Sequence, residues 1–167
     1  YLFYILYVLS IAAWNFAYNG LGYLLLWPSY PLFNQVSHTI MSPLVLFFIL
    51  LFTFQFLLIK KASRLLKNTY YTLMILSICE FILLVSGVFN PIIFWFANAL
   101  NLIVTVLVMA SGIIALKKGF RPAKFFLIAW LIFSIGMIIF NLMTFQILPF
   151  TFITNYGIQI GSAIEAI

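Results

Sequence analysis

Candidates for acid–base, nucleophilic or metal chemistry are few in this 167-residue sequence. It has two acidic residues, Glu80 and Glu165, one histidine, His38, and one cysteine, Cys79. There is no aspartate, so an aspartyl protease dyad cannot form. A zinc protease needs HExxH or an equivalent ligand set, and one histidine with two distant glutamates does not supply it. A Schiff-base lysine would have to lie within an apolar helix, yet every lysine falls in or beside one of two basic clusters. Cys79 has no cysteine partner in the chain, which removes an internal disulfide, and its apolar surroundings suit a small buried hydrophobe. Catalysis, cofactors and metals are therefore not expected within these residues.

Glu80 is the most unusual of the candidates, because it lies inside an apolar run. An ionised carboxylate in the middle of a bilayer costs at least about 2.5–3.5 kcal/mol on insertion scales. Such a residue either acts as an intramembrane polar switch, or is protonated and hydrogen-bonded to a neighbouring helix, or faces a small hydrated cavity. Gly157, Gly161 and Glu165 recur every four residues and so share one helix face. GIQIG (157–161) is a GxxxG pattern, which lets another backbone approach closely. That face is expected to pack tightly, and it could also transmit motion. Asn98 with Asn101, and Asn15 with Asn19, are each about one turn apart; such amides usually hydrogen-bond between helices, a ligand pocket being the alternative. His38 is expected at the outer edge of a span, where it would be solvated or would sense external pH.

The elements that must position these residues follow from composition. Hydrophobic residues make up 66% of the chain and charged ones only 6%, too few to coat a water-soluble domain. Lipid is the solvent that stabilises such a chain, because apolar side chains can then face outward. A span needs about 20 apolar residues. By that measure the spans fall at about 1–26, 39–59, 69–88, 92–116, 122–143 and 152–167. The last is too short to cross at about 1.5 Å per residue, so it is expected to continue beyond the sequence. The first begins within apolar residues, so both ends are expected to be cut. Trp27 and Tyr30 suit an interfacial aromatic anchor in the first connection, and FNP (89–91) suits a tight turn. Pro43 and Pro91 are expected at span edges, and Pro122 in the first turn of a helix. Runs such as SPLVLFFILLF (42–52) are apolar on every face, which rejects a β-barrel. The expected fold class is an all-α polytopic transmembrane helix bundle with six visible spans.

The net charge of +6 is concentrated in two loops. One holds Lys60, Lys61, Arg64 and Lys67, the other Lys117, Lys118, Arg121 and Lys124. Neither cluster is long enough to track a nucleic-acid backbone, so no nucleic-acid partner is expected. The intervening connections carry no charge. Positive residues favour the cytoplasm, and two spans separate the loops, so both are expected on that side. Membrane lipid is the expected surroundings, and the basic residues would meet its anionic headgroups at about 1 kcal/mol each.

Three stretches carry a likeness to a known family. YLFYILYVLS (1–10) with NGLGYLLLWP (19–28), RPAKFFLIAWLIF (121–133) and ITNYGIQIGSAIEAI (153–167) resemble the second, sixth and seventh helices of bacterial seven-transmembrane receptors with diverse intracellular signalling modules. The resemblance covers essentially the whole chain. It implies helices two to seven of seven in a bacterial inner membrane, an extracellular sensor domain, and a cytoplasmic output module such as a histidine kinase or diguanylate cyclase. It also implies a non-catalytic relay, possible as a homodimer. The rival expectation is a small transporter or channel subunit; no internal repeat and no Pro-broken helix supports it in the sequence.

Overall fold

A computed structural model of the chain describes residues 2–59, 63–88 and 91–165; for Ile158, Ser162, Ile164 and Glu165 the description covers the backbone alone. The described residues form helices and no strand. In order these are α1 (Leu2–Tyr18), α2 (Leu21–Leu25), α3 (Pro31–Phe56), α4 (Arg64–Val85), α5 (Pro91–Lys117), α6 (Ala123–Thr144) and α7 (Phe152–Glu165). The fold is an all-α membrane helix bundle. Four helices, α3 to α6, are long and apolar enough to cross a bilayer. The chain divides into two compact units, Tyr1–Ala97 and Asn98–Ile167.

In the first unit, α3 packs against both α1 and α4, and the short α2 touches α1 and α3. Aromatic rings set the register. Tyr4 and Tyr7 meet Phe52 at centroid distances of 5.4 and 5.6 Å, the Tyr7 and Phe52 rings lying parallel within 1°. Tyr18 meets His38 edge-on at 5.8 Å. The start of α1 therefore lies beside the end of α3 and the reverse, an antiparallel pair. Phe54 contacts Tyr70 and Tyr71 at 5.8 and 5.3 Å, which fixes α3 antiparallel to α4.

The first apolar run, expected as one span at 1–26, is two helices. Gly20 adopts φ 73°, a left-handed conformation that ends α1, and the chain restarts as α2. Asn19 closes the same end by donating its side-chain amide to Asn15 O at 2.8 Å. The Asn15–Asn19 pair is thus a local cap and not a bridge between helices. Trp27 then folds back so closely that a Cβ on Gly22 would overlap its indole. Its ring is T-shaped to Phe33 at 5.2 Å, and its Nε1 donates to Asn34 Oδ1 at 3.5 Å. Of the two expected anchors only Tyr30 is exposed; Trp27 is half-buried in this fold-back.

Two helices start earlier than the hydropathy boundaries. Pro31 opens α3, since its missing N–H has no role in a first turn, and the polar NQVSH segment (34–38) is carried into the helix. Pro43 consequently lies inside α3 and not at a span edge. Ser63 caps α4, accepting from Leu66 N at 3.4 Å, so Arg64 and Lys67 belong to the first turns of that helix. The FNP turn falls at 89–91, and its residues 89 and 90 lie outside the described residues.

In the second unit α6 packs against α7. Between α5 and α6, Gly119 takes φ 86° while Gly119 N and Phe120 N donate back to Leu116 O and Ala115 O at 2.9 and 3.1 Å. This is a Schellman close, and it ends α5 sharply enough for α6 to return. Pro122 directly precedes the first helical residue of α6. Thr151 and Thr154 start α7 by exchanging bonds: Thr151 N donates to Thr154 Oγ1 at 2.8 Å, and Thr154 N to Thr151 Oγ1 at 3.3 Å.

Candidate functional site

Glu80 belongs to the inward stripe of α4, with Tyr70, Leu73, Met74, Ser77 and Leu84. These residues recur at three- and four-residue steps, so they form one face. Its side chain is 2% exposed, and among the described residues neither carboxyl oxygen has a hydrogen-bond partner. Ser77, one turn away, is committed to its own helix: its hydroxyl donates to Leu73 O and Met74 O at 2.9 and 3.0 Å. The interhelical hydrogen bond that would have accounted for Glu80 is therefore not formed. Because α4 begins at Arg64, Glu80 also lies nearer the Val85 end of its helix than the middle of a span at 69–88 would place it. Counting from the Phe54–Tyr70 contact, Glu80 is about 15 Å further along the axis. That brings it level with Pro43 and Leu44 of α3.

The glycine pattern of the last helix sits directly on α6. A Cβ on Gly157 would lie 3.4 Å from Gly136 O and 3.5 Å from Gly136 Cα. At Gly161 a Cβ would lie 3.0 Å from Phe133 Cα and 3.3 Å from Ile132 O. Backbone meets backbone at both positions, as small residues four apart allow. Gly157 pairs with 136 and Gly161 with 133, so the two helices run antiparallel. Glu165 ends α7, and its side chain lies outside the described residues.

Other expected positions have moved or changed character. His38 lies within α3, half-buried, with its ring on Tyr18 and its Nε2 3.3 Å from Thr39 Oγ1; it is packed and not simply solvated. Cys79 is exposed on α4 and not a buried hydrophobe. Arg64, Lys117, Lys118, Arg121 and Lys124 are exposed and Lys67 is half-buried, while Lys60 and Lys61 lie outside the described residues. Asn98 and Asn101 are half-buried in α5.

The sequence reading passed over Thr53, Ser134 and Asn141. All three are buried, at 0, 5 and 2% exposure, and among the described residues Thr53 Oγ1, Ser134 Oγ and Asn141 Oδ1 have no hydrogen-bond partner. Gly136 and Gly112 were also missed. A Cβ on Gly112 would lie 2.6 Å from Leu127 Cδ2, which marks where α5 touches α6. A usable signal existed for Ser134 and Asn141: polar residues seven apart in an otherwise apolar helix share a face.

Among the described residues no group of three or more His, Cys, Asp or Glu side chains could hold a metal ion. The first unit holds a buried acid, Glu80, and the second a close glycine contact between α6 and α7. A family model described as 7TM diverse intracellular signalling matches residues 1–167. No curated protein and no solved structure matches the chain.

Proposed function

The chain belongs to the 7TM diverse intracellular signalling family, and we propose that it is the membrane module through which a bacterial receptor passes an external signal to a cytoplasmic output domain of the same polypeptide. The family match along all 167 residues carries this reading. In it, the module works without catalysing a reaction and lies in the inner membrane with both basic loops inside. Its surroundings are lipid, and its partners are its own sensor and output domains and a second copy of the receptor.

A relay needs two helix arrangements of similar energy, with the signal favouring one. Two features support that requirement. Gly157 and Gly161 bring the α7 backbone against the α6 backbone with no side chain of their own between them, the kind of contact along which a small slide or rotation needs no side chain to clear another. Glu80 is buried with no hydrogen-bond partner among the described residues, and a rearrangement that gave it one would gain the energy this arrangement forgoes.

The test uses the full-length receptor in its native membrane with output activity as readout. Gly161→Leu is expected to lock output in one state or to prevent assembly, and Glu80→Gln to change the basal output. Wild-type output and stability in both would remove the relay role from these residues. Orientation is checked separately: Lys118→Cys should react with an impermeant thiol reagent only from the cytoplasmic side, and Tyr30→Cys only from outside. Each is assayed with Cys79 replaced by serine.

The alternative is a small transporter or channel subunit. Its expected sign, a helix broken beside an ionisable group, is not met at Pro43, where α3 runs through unbroken. The flanking reading frame separates the two: sensor and signalling domains mean a receptor, further spans alone a transporter.

A further inference from the structure

The charge of the second unit gathers at one turn. Between Asn98 and Ile167 there are four basic residues, Lys117, Lys118, Arg121 and Lys124, and one acidic residue, Glu165. All four cations are exposed, and the Schellman close at Gly119 holds them together between the end of α5 and the start of α6. Lys117 lies in the last turn of α5, where the negative end of the helix dipole favours a cation. Arg121 and Lys124 have the opposite placement. They stand at the positive end of α6, which has no acidic residue in its first turn and no side-chain cap. The helix works against these two cations, and an anion beside them would offset that.

The exposed face of α6 continues from these cations as a purely apolar strip. Lys124, Ile128, Leu131 and Ile135 follow one another at steps of four, three and four residues, so they share one stripe, and all are exposed. Phe125, also exposed, stands beside the head of the stripe. The backbone contacts of α7 with α6 lie elsewhere, at Ile132, Phe133 and Gly136. At about 1.5 Å per residue, Lys124 to Ile135 spans roughly 16 Å of helix. That matches one leaflet, half of a hydrocarbon core about 30 Å thick. A cationic head above an apolar strip one leaflet deep is complementary to a molecule with a phosphate head and acyl chains. Arginine meets a phosphate through two parallel N–H donors, and lysine meets it as a point charge.

We propose that the exposed stripe of α6 is a binding site for one anionic phospholipid, with Arg121 and Lys124 on its phosphate and Phe125, Ile128, Leu131 and Ile135 along its acyl chains. The site selects the lipid by net charge, because a zwitterionic headgroup brings its own cation to the same place. It is separate from Glu80 and from the α6–α7 glycine contact. A lipid held there anchors α6, the helix against which α7 packs.

The test uses the full-length protein in uncharged detergent, titrated with phosphatidylglycerol or phosphatidylcholine, with bound lipid counted by native mass spectrometry. Phosphatidylglycerol is expected to bind at least about tenfold more tightly than phosphatidylcholine. Arg121→Gln with Lys124→Gln should weaken phosphatidylglycerol binding by about 25-fold, roughly fivefold for each cation, and leave phosphatidylcholine as it was. Both side chains are exposed, so the double variant is expected to fold. Arg64→Gln with Lys67→Gln removes the same charge from the other basic loop and should change the affinity less than about threefold. Millimolar inorganic phosphate, compared with chloride at equal ionic strength, should not displace the lipid. Three results each overturn the proposal. They are equal affinity for the two lipids, an equal loss in both double variants, and displacement by inorganic phosphate, which would make this a site for the free anion.

Discussion

The two units hold their helices together by different means. In the first, large rings interlock: Tyr7 is fully buried and stacked on Phe52, and Phe54 reaches both Tyr70 and Tyr71. In the second, side chains are removed from the contact, and α7 lies on α6 through Gly157, Gly161 and Gly136. Lipid explains why both devices exist. Apolar side chains gain little by leaving hydrocarbon for protein, so association rests on van der Waals packing and hydrogen bonds. Interlocked rings resist sliding, because each occupies a shaped gap. A glycine seam has no such teeth. Under the proposed relay, the aromatic contacts would be the fixed frame and the glycine seam the moving contact.

The strongest way to break this contrast is to add bulk to the seam. Gly161→Leu would drive a side chain into Phe133 Cα and Ile132 O, which are backbone atoms and cannot rotate away. Overpacking costs up to about 3 kcal/mol, and more where backbone must move. A large fall in the thermal midpoint of the full-length protein in detergent is expected. An unchanged midpoint would mean that α7 is not held by this contact.

Removing a tooth from the aromatic frame should cost less. Tyr7→Ala deletes a ring that is 0% exposed and opens a cavity against Phe52. Similar truncations in soluble cores cost about 3–5 kcal/mol, part of which is transfer from water and is absent in lipid. About 2 kcal/mol is expected. Gradual loss of stability with output still responsive to the signal would mark a frame; loss of signal response at full stability would reverse the assignment of the two units.

How far these contrasts could be read from sequence differs between the units. GxxxG is a local pattern, so Gly157 and Gly161 announced themselves. Their partner Gly136 did not, because a lone glycine in an apolar helix has no spacing to give it away. The aromatic frame was not legible at all: twenty phenylalanines and nine tyrosines leave too many possible pairs, and register decides among them. Helix type followed from hydropathy, whereas helix ends followed from chemistry that hydropathy averages over. Gly20 divides an apolar run, Pro31 starts a helix in polar residues, and Ser63 draws Arg64 into α4. Glu80 stood out by its charge alone. Ser134 and Asn141 were passed over because uncharged polar residues are common in membrane helices, and only burial without a partner makes them informative.

The seam itself can be dissected by single methyl groups. Gly161→Ala places a Cβ 3.0 Å from Phe133 Cα, closer than backbone neighbours tolerate without shifting. Alanine regains about 0.8–1.0 kcal/mol of helix propensity, so a net loss of about 1 kcal/mol is expected. A loss as large as that of Gly161→Leu would mean that the seam has no slack at all.

At Gly157 the same change should have the opposite sign. Its added Cβ would meet Gly136 O at 3.4 Å and Gly136 Cα at 3.5 Å, ordinary van der Waals contact that requires no movement. The propensity gain is then not opposed by strain, and Gly157→Ala should be neutral or stabilising by about 0.5 kcal/mol in the same thermal measurement. Its effect on signalling separates tight packing from motion. If α7 only packs, Gly157→Ala leaves output as it was. If α7 slides on α6, a methyl group fitted into the track holds the resting register, and the response to signal falls although the protein is no less stable.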